Sequence, residues 1–119
     1  MPSDDILRLP GTPGQFAKAA VWRDTVYLAG IIPERWDADI AGQARDVFSR
    51  IDSALHEAGT TRTRLLSLTV YLRSFDDYDG FRAAYSQWIS GDALPARATV
   101  RAELRDPRIR IEIQAIAAC

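Results

Sequence analysis

Arg97 follows Pro95-Ala96 at the start of a strand-like stretch, and Glu112 lies fifteen residues further on in a second one. A guanidinium presents a rigid fork of donors that fits a carboxylate better than an ammonium does. A glutamate on the same face can position or deprotonate a water molecule. The side-chain alternation set out below points both residues to one side of a sheet, away from its helices. A plainer reading stays open beside this one. Counting outward from the turn at Asp106-Pro107 sets Glu112 nearly opposite Arg101, where a cross-strand ion pair would form. The same register leaves Arg97 several residues from Glu112, so the spacing supplies a shared face rather than a shared site.

Other residues read as structural. His56 falls in the last turn of a helix, where a cation complements the helix dipole, and no second His or Asp arrangement makes it part of a triad. One His, one terminal Cys and scattered carboxylates lack metal-ligand spacing, so no metal is expected. Gly11-Thr12-Pro13-Gly14 lacks the Gly-Lys-Ser/Thr ending of a phosphate loop. Trp22, Trp36 and Trp88 have no basic cluster around them and read as core or interface. Asp76-Asp77 is most simply a helix-start signal.

The elements that must position Arg97 and Glu112 follow from the hydrophobic period. Ala19–Trp22 and Thr25–Ala29 flank the polar pair Arg23-Asp24 and read as a tight β-hairpin. From Asp39 to Ala58 the period is helical, with Ile40, Ala44, Val47, Ile51, Ala54, Leu55 and Ala58 on one stripe. Asp39 is placed to cap that helix and Gly59 to end it. Leu65–Leu72 reads as a strand whose even positions, Leu66, Leu68, Val70 and Leu72, are all aliphatic. Asp77–Ile89 is helical, with Tyr78, Phe81, Tyr85, Trp88 and Ile89 on an aromatic stripe, and Ser74 or Asp76 as its cap.

The last third returns to period 2. Ala96, Ala98, Val100, Ala102 and Leu104 alternate with charged and polar residues, as do Ile109, Ile111 and Ile113. Two such strands around Asp106-Pro107 are expected to form an antiparallel hairpin. The order is therefore β-β-α-β-α-β-β: an α+β sheet with two helices on one face. The other face would carry Ser67, Thr69, Tyr71, Arg97, Thr99, Arg101, Glu112 and Gln114, a half-polar surface of the kind that packs against another subunit.

The 119 residues make one domain, 1–119, large enough to bury a core without staples. At 47% hydrophobic and 26% charged, the chain is an ordinary globular one and not a disordered segment. Net charge −1 argues against a polyanion-binding stripe, so no nucleic-acid partner is expected. No apolar run approaches the roughly 20 residues of a membrane span. The start Met1-Pro2-Ser3-Asp4-Asp5 is acidic where a signal peptide is basic, which makes a cytoplasmic location the expectation.

Five stretches, in order, resemble the reactive intermediate deaminase (Rid, or YjgF) family. Asp24–Gly30 with Ile32-Pro33 is similar to its "gDtvylSGqiP" segment, and Ala41–Arg45 through Ala58-Gly59 to its first helix. Leu68–Leu72 resembles its "tTVfL" strand, Pro95-Ala96-Arg97 its "PaRs" motif, and Ile111–Ala117 its "vEieaiA" motif. The resemblance implies a homotrimer of chorismate-mutase-like fold with sites in the clefts between subunits. It implies hydrolysis of 2-enamino or 2-imino acids to 2-keto acids and ammonia, with no cofactor. Arg97 would bind the substrate carboxylate and Glu112 would orient the attacking water, while backbone around Gly30 and Ala98-Thr99 would line the same cleft.

The departures from the family pattern concern the pocket. Phe16 stands where many active members have a tyrosine, Ala29 replaces the usual Ser, and Ile31 the Gln after the glycine. Arg82 aligns with a common asparagine, and Thr99 with a frequent cysteine. The expectation is a more apolar pocket near Phe16 and Ile31 and an added cation at Arg82. The alternative to a deaminase is a non-catalytic trimer that binds small carboxylates in a regulatory role. RNA cleavage, attached to some members of the family, is disfavoured by the charge balance.

Overall fold

A computed structural model describes residues 5–119. The chain forms strands β1 (Leu7–Leu9), β2 (Ala19–Trp22) and β3 (Thr25–Leu28), helix α1 (Ile40–Glu57) and strand β4 (Leu65–Leu72). Helix α2 (Tyr78–Trp88) and strands β5 (Ala96–Arg101) and β6 (Ile111–Ala118) complete it. The expected order is present, preceded by the short strand β1. The β2–β3 hairpin turns through Arg23 at φ 55°, a left-handed conformation. Helix α1 starts where Asp39 accepts a hydrogen bond from the Gly42 N–H. Just past its end, Gly59 takes φ 88°, which its missing Cβ permits. Ser74 caps the turn that leads into α2.

The six strands form one sheet in the order β1-β2-β3-β6-β4-β5. Here the structure departs from the expected C-terminal hairpin. Strand β6 inserts between β3 and β4, antiparallel to both, while β5 runs parallel to β4 at the edge. Strands β4 and β5 are thus joined through α2 as a parallel crossover, and β5 and β6 are not neighbours. Alternation tells which residues of one strand share a face. It does not tell which strand lies alongside.

Two corrections follow from this register. Glu112 pairs with Tyr71, and Arg101 with Leu72, so the expected Glu112–Arg101 ion pair does not exist. In addition, β5 is turned over. Arg97 pairs with buried Leu68, and Thr99 with buried Val70, so both lie on the helix-covered face. Ala96, Ala98 and Val100 face the open side instead, with Ser67, Thr69, Tyr71, Glu112 and Gln114. At an edge strand the inward positions are only partly covered by α2, and a long amphipathic side chain can lie there with its stem on apolar surface. A third correction concerns β4: a register shift between Leu65 and Ser67 turns Leu66 out of the core, leaving it 50% exposed.

The core lies between the sheet and the two helices. Val47, Phe48, Ile51 and Leu55 of α1 and Phe81 and Tyr85 of α2 pack on Leu68, Val70, Ile111, Ile113 and Ala115. Phe48 stacks on Trp88 with centroids 4.5 Å apart, tying the helices together. One polar side chain is buried at the end of this core. Gln43 donates to the carbonyls of Trp36, Ala38 and Arg108 and accepts from the Arg110 N–H at 2.8 Å. It fastens the loops before α1 and before β6 to each other.

Candidate active site

The Glu112 half of the site is built by the segment that leaves β3. Ile31 exchanges backbone hydrogen bonds with Ile113, at 2.8 and 3.0 Å, which draws Gly30 alongside Glu112. A Cβ on Gly30 would collide with Glu112 Oε2, so the carboxylate lies directly on a glycine backbone. The far end of this segment is fixed by Arg50, whose guanidinium donates to the Ile32 carbonyl, and by Trp36 Nε1, which donates to the Pro33 carbonyl at 2.8 Å.

Opposite Gly30, the turn Thr12–Phe16 closes with the Gln15 and Phe16 N–H groups on the Thr12 carbonyl, Gly14 adopting φ 74°. It presents Phe16, 57% exposed, to the same place. An open depression of about 420 Å³ results, lined by Phe16, Ala29, Gly30, Ile32, Arg105 and Glu112. Ile31 lies on the neighbouring groove rather than in this depression.

The Arg97 half lies across the sheet. Its guanidinium carbon sits 4.8 Å from the Tyr85 ring centroid and 5.3 Å from that of Phe81, and Nη2 donates to the Tyr78 hydroxyl at 3.3 Å. The aromatic stripe of α2 is therefore a shelf on which a cation rests. Burial pushes the Tyr85 hydroxyl pKa upward, and the neighbouring Arg97 charge opposes that shift. Arg97 Nη1 is buried and has no hydrogen-bond partner. A charged donor left in that condition lacks an acceptor among the described residues.

Of the remaining candidates, Ala29 and Gly30 join Glu112, and Thr99 shares the face of Arg97. Ala98 is exposed on the open face. Arg82 is exposed on α2, away from the depression. The cation at the Glu112 depression is Arg105, which sequence patterning did not single out. It follows the strand residues whose period is readable, in a loop with none.

Residues 8–119 match the family described as Endoribonuclease L-PSP. The chain belongs to this family, which includes the YjgF and Rid proteins. Among relatives of known sequence, a RutC family protein of Haemophilus ducreyi is 33% identical over 104 residues, covering 87% of this chain and 89% of its own. A human 2-iminobutanoate/2-iminopropanoate deaminase is 26% identical over 116 residues, covering 92% of this chain and 84% of its own. The crystal structure of a YjgF-family protein from Neisseria meningitidis superimposes with a TM-score of 0.92 at 32% identity, over 97% of this chain and 95% of that one. The mixed six-stranded sheet with two helices is thus the YjgF fold. Among the described residues, no group of three His, Cys, Asp or Glu side chains gathers as a metal set, and no helix is long and apolar enough to cross a membrane.

Proposed function

We propose that this YjgF-family protein hydrolyses 2-imino acids, and their 2-enamino tautomers, to 2-keto acids and ammonia at sites between the subunits of a homotrimer. The observation that carries the reading is Arg97, a half-buried guanidinium whose Nη1 is buried and unpartnered on an aromatic shelf. Such a fork takes a carboxylate in two parallel hydrogen bonds. Arg97 and Glu112 occupy opposite faces of the sheet, so a site that uses both takes them from two copies. The open face, with Tyr27, Leu66 and Val100 exposed and no helix over it, is the surface such copies would share.

In this reading Arg97 holds the substrate α-carboxylate and sets C2 beside Glu112 of the next copy. An enamine first takes a proton at C3 to become the imine. Glu112 accepts a proton from water as its oxygen bonds to C2, giving a tetrahedral aminoalcohol. That proton then passes to nitrogen, Glu112 takes the hydroxyl proton as the C–N bond breaks with its electron pair leaving on ammonia, and the keto acid remains. No cofactor takes part. The pairing with a human relative named as an imine deaminase supports the substrate class. RNA cleavage, the activity in the family's description, finds little support in a chain of net charge −1.

Phe16 and Ala29 favour a second reading, a carboxylate-binding trimer without turnover, because neither offers a hydroxyl to hold a water beside Glu112. An amino acid oxidase supplying imines from a panel of amino acids, with semicarbazide trapping the survivors, separates the two. Faster loss of imine with the wild-type protein, abolished in Arg97→Ala and Glu112→Ala, is the expected result. Binding of 2-keto acids that depends on Arg97, with no acceleration on any imine, would select the second reading.

A further inference from the structure

The deaminase reading leaves Arg105 without a role. Its guanidinium carbon lies 5.4 Å from the Trp36 ring centroid, and its side chain lines the depression that holds Glu112. The loop carrying it is firmly held, since Arg73 donates to the carbonyls on either side, of Leu104 at 2.8 Å and of Asp106 at 2.7 Å. Asp106 in turn accepts from the Arg108 N–H and guanidinium. The backbone of Arg105 is therefore held by the fold, and its side chain is exposed at the depression.

The neighbouring cations are all engaged. Along the adjoining groove, Lys18 pairs with Glu57 at 2.7 Å, and Arg50 with Glu34 and the Ile32 carbonyl. In the depression on the other side of Trp36, Arg108 pairs with Asp106 and Arg110 with Asp77, while Arg73 serves the loop. Among the described residues around Glu112, Arg105 alone presents a guanidinium with neither a carboxylate nor a carbonyl on it. It lies over the Trp36 ring, which Arg108 also approaches at 4.9 Å, and a cation–π contact of this kind occupies none of the guanidinium's N–H donors.

We infer that Arg105 recognises a second acid group, so that the site prefers 2-imino and 2-keto acids bearing a side-chain carboxylate, such as those derived from glutamate and aspartate. The inference rests on the deaminase reading for its place: Arg97 takes the α-carboxylate, Glu112 faces C2, and Arg105 meets the far end of the side chain. Phe16 and Ile32 would line the methylene stretch between.

Calorimetric titration of the wild-type protein and Arg105→Gln with 2-oxoglutarate and with 2-oxobutyrate tests the preference, alongside hydrolysis of the imines of glutamate and alanine. The wild-type protein should favour the diacid, and the ratio of the two affinities should fall at least about tenfold in Arg105→Gln, the loss of one charge-assisted pair. An unchanged ratio overturns the inference. So does equal binding of both acids by the wild-type protein, or binding of neither. Discrimination by Arg105 with no imine turnover would sink the deaminase reading and leave this one standing. Turnover of both imines without discrimination would do the reverse.

Discussion

Arg97 and Glu112 stand on opposite faces of one sheet, Arg97 beside Leu68 under the helices and Glu112 beside Tyr71 on the open side. On the proposed reading a functioning site is an arrangement of two chains, and this has a distinctive genetic consequence. Arg97→Ala and Glu112→Gln should each be inactive alone. Co-expressed in equal amounts, they should recover about a quarter of the wild-type sites, because that share pairs an intact Arg97 with an intact Glu112. Imine hydrolysis by the purified mixture measures the recovery, and complete inactivity of mixed trimers would place both residues in one chain's site.

Gly30→Ala offers a test confined to the Glu112 side. The added Cβ meets Glu112 Oε2 and must push the carboxylate from its position. Turnover should fall by about tenfold or more, while affinity for 2-keto acids through Arg97 changes little. Steady-state kinetics together with calorimetry read the two separately.

Gln43 should matter to stability more than any other polar side chain described. Gln43→Leu keeps the volume but strands the Arg110 N–H and three carbonyls. A cost of about 3 kcal/mol is expected, lowering the thermal midpoint by roughly 10 °C or more. Differential scanning calorimetry gives the number.

Acid should loosen the loop that carries Arg105. Hydrogen bonds from Arg108 hold the Asp106 carboxyl pKa down to about 2, against an ordinary value of 3.8. A depressed carboxyl stabilises the fold above its unfolded pKa and loses that contribution as the pH falls through the folded value. The stability difference between the wild-type protein and Asp106→Asn should therefore be constant above about pH 5 and shrink between about pH 4 and 2. Denaturant titrations across that range check the sign.

Both helices, the caps of α1 and the β2–β3 hairpin were legible in the sequence, because each rests on local signals: a 3.6-residue period, Asp39 and Gly59 at the ends of α1, Arg23-Asp24 between two β-rich runs. Helix α2 instead follows Asp77, which makes no side-chain cap, with Ser74 capping the turn before it. The pairing of the last two strands was not. Ala96, Ala98 and Val100 read as the inward row of β5 because they are apolar, yet they face outward, and Arg97 lies inward on aromatic rings. Hydrophobicity ranks a guanidinium as a surface group and does not register that an aromatic shelf can receive it. The family motifs nonetheless selected Arg97, Glu112 and Gly30. Arg105 escaped both approaches, since its setting comes from Arg73 and Trp36, distant in sequence.

The shelf beneath Arg97 has an implication for how such a protein can diverge. Phe81 and Tyr85 belong at once to the anchor and to the packed interior, so any change that re-aims the anchor also disturbs the core. The opposite wall is made of turns: Phe16 on one, Arg105 on another, each replaceable without touching a helix. On the proposed reading, new selectivity can accumulate on that wall while the grip of Arg97 on the α-carboxylate stays constant. The fold separates what is held in common from what is free to vary.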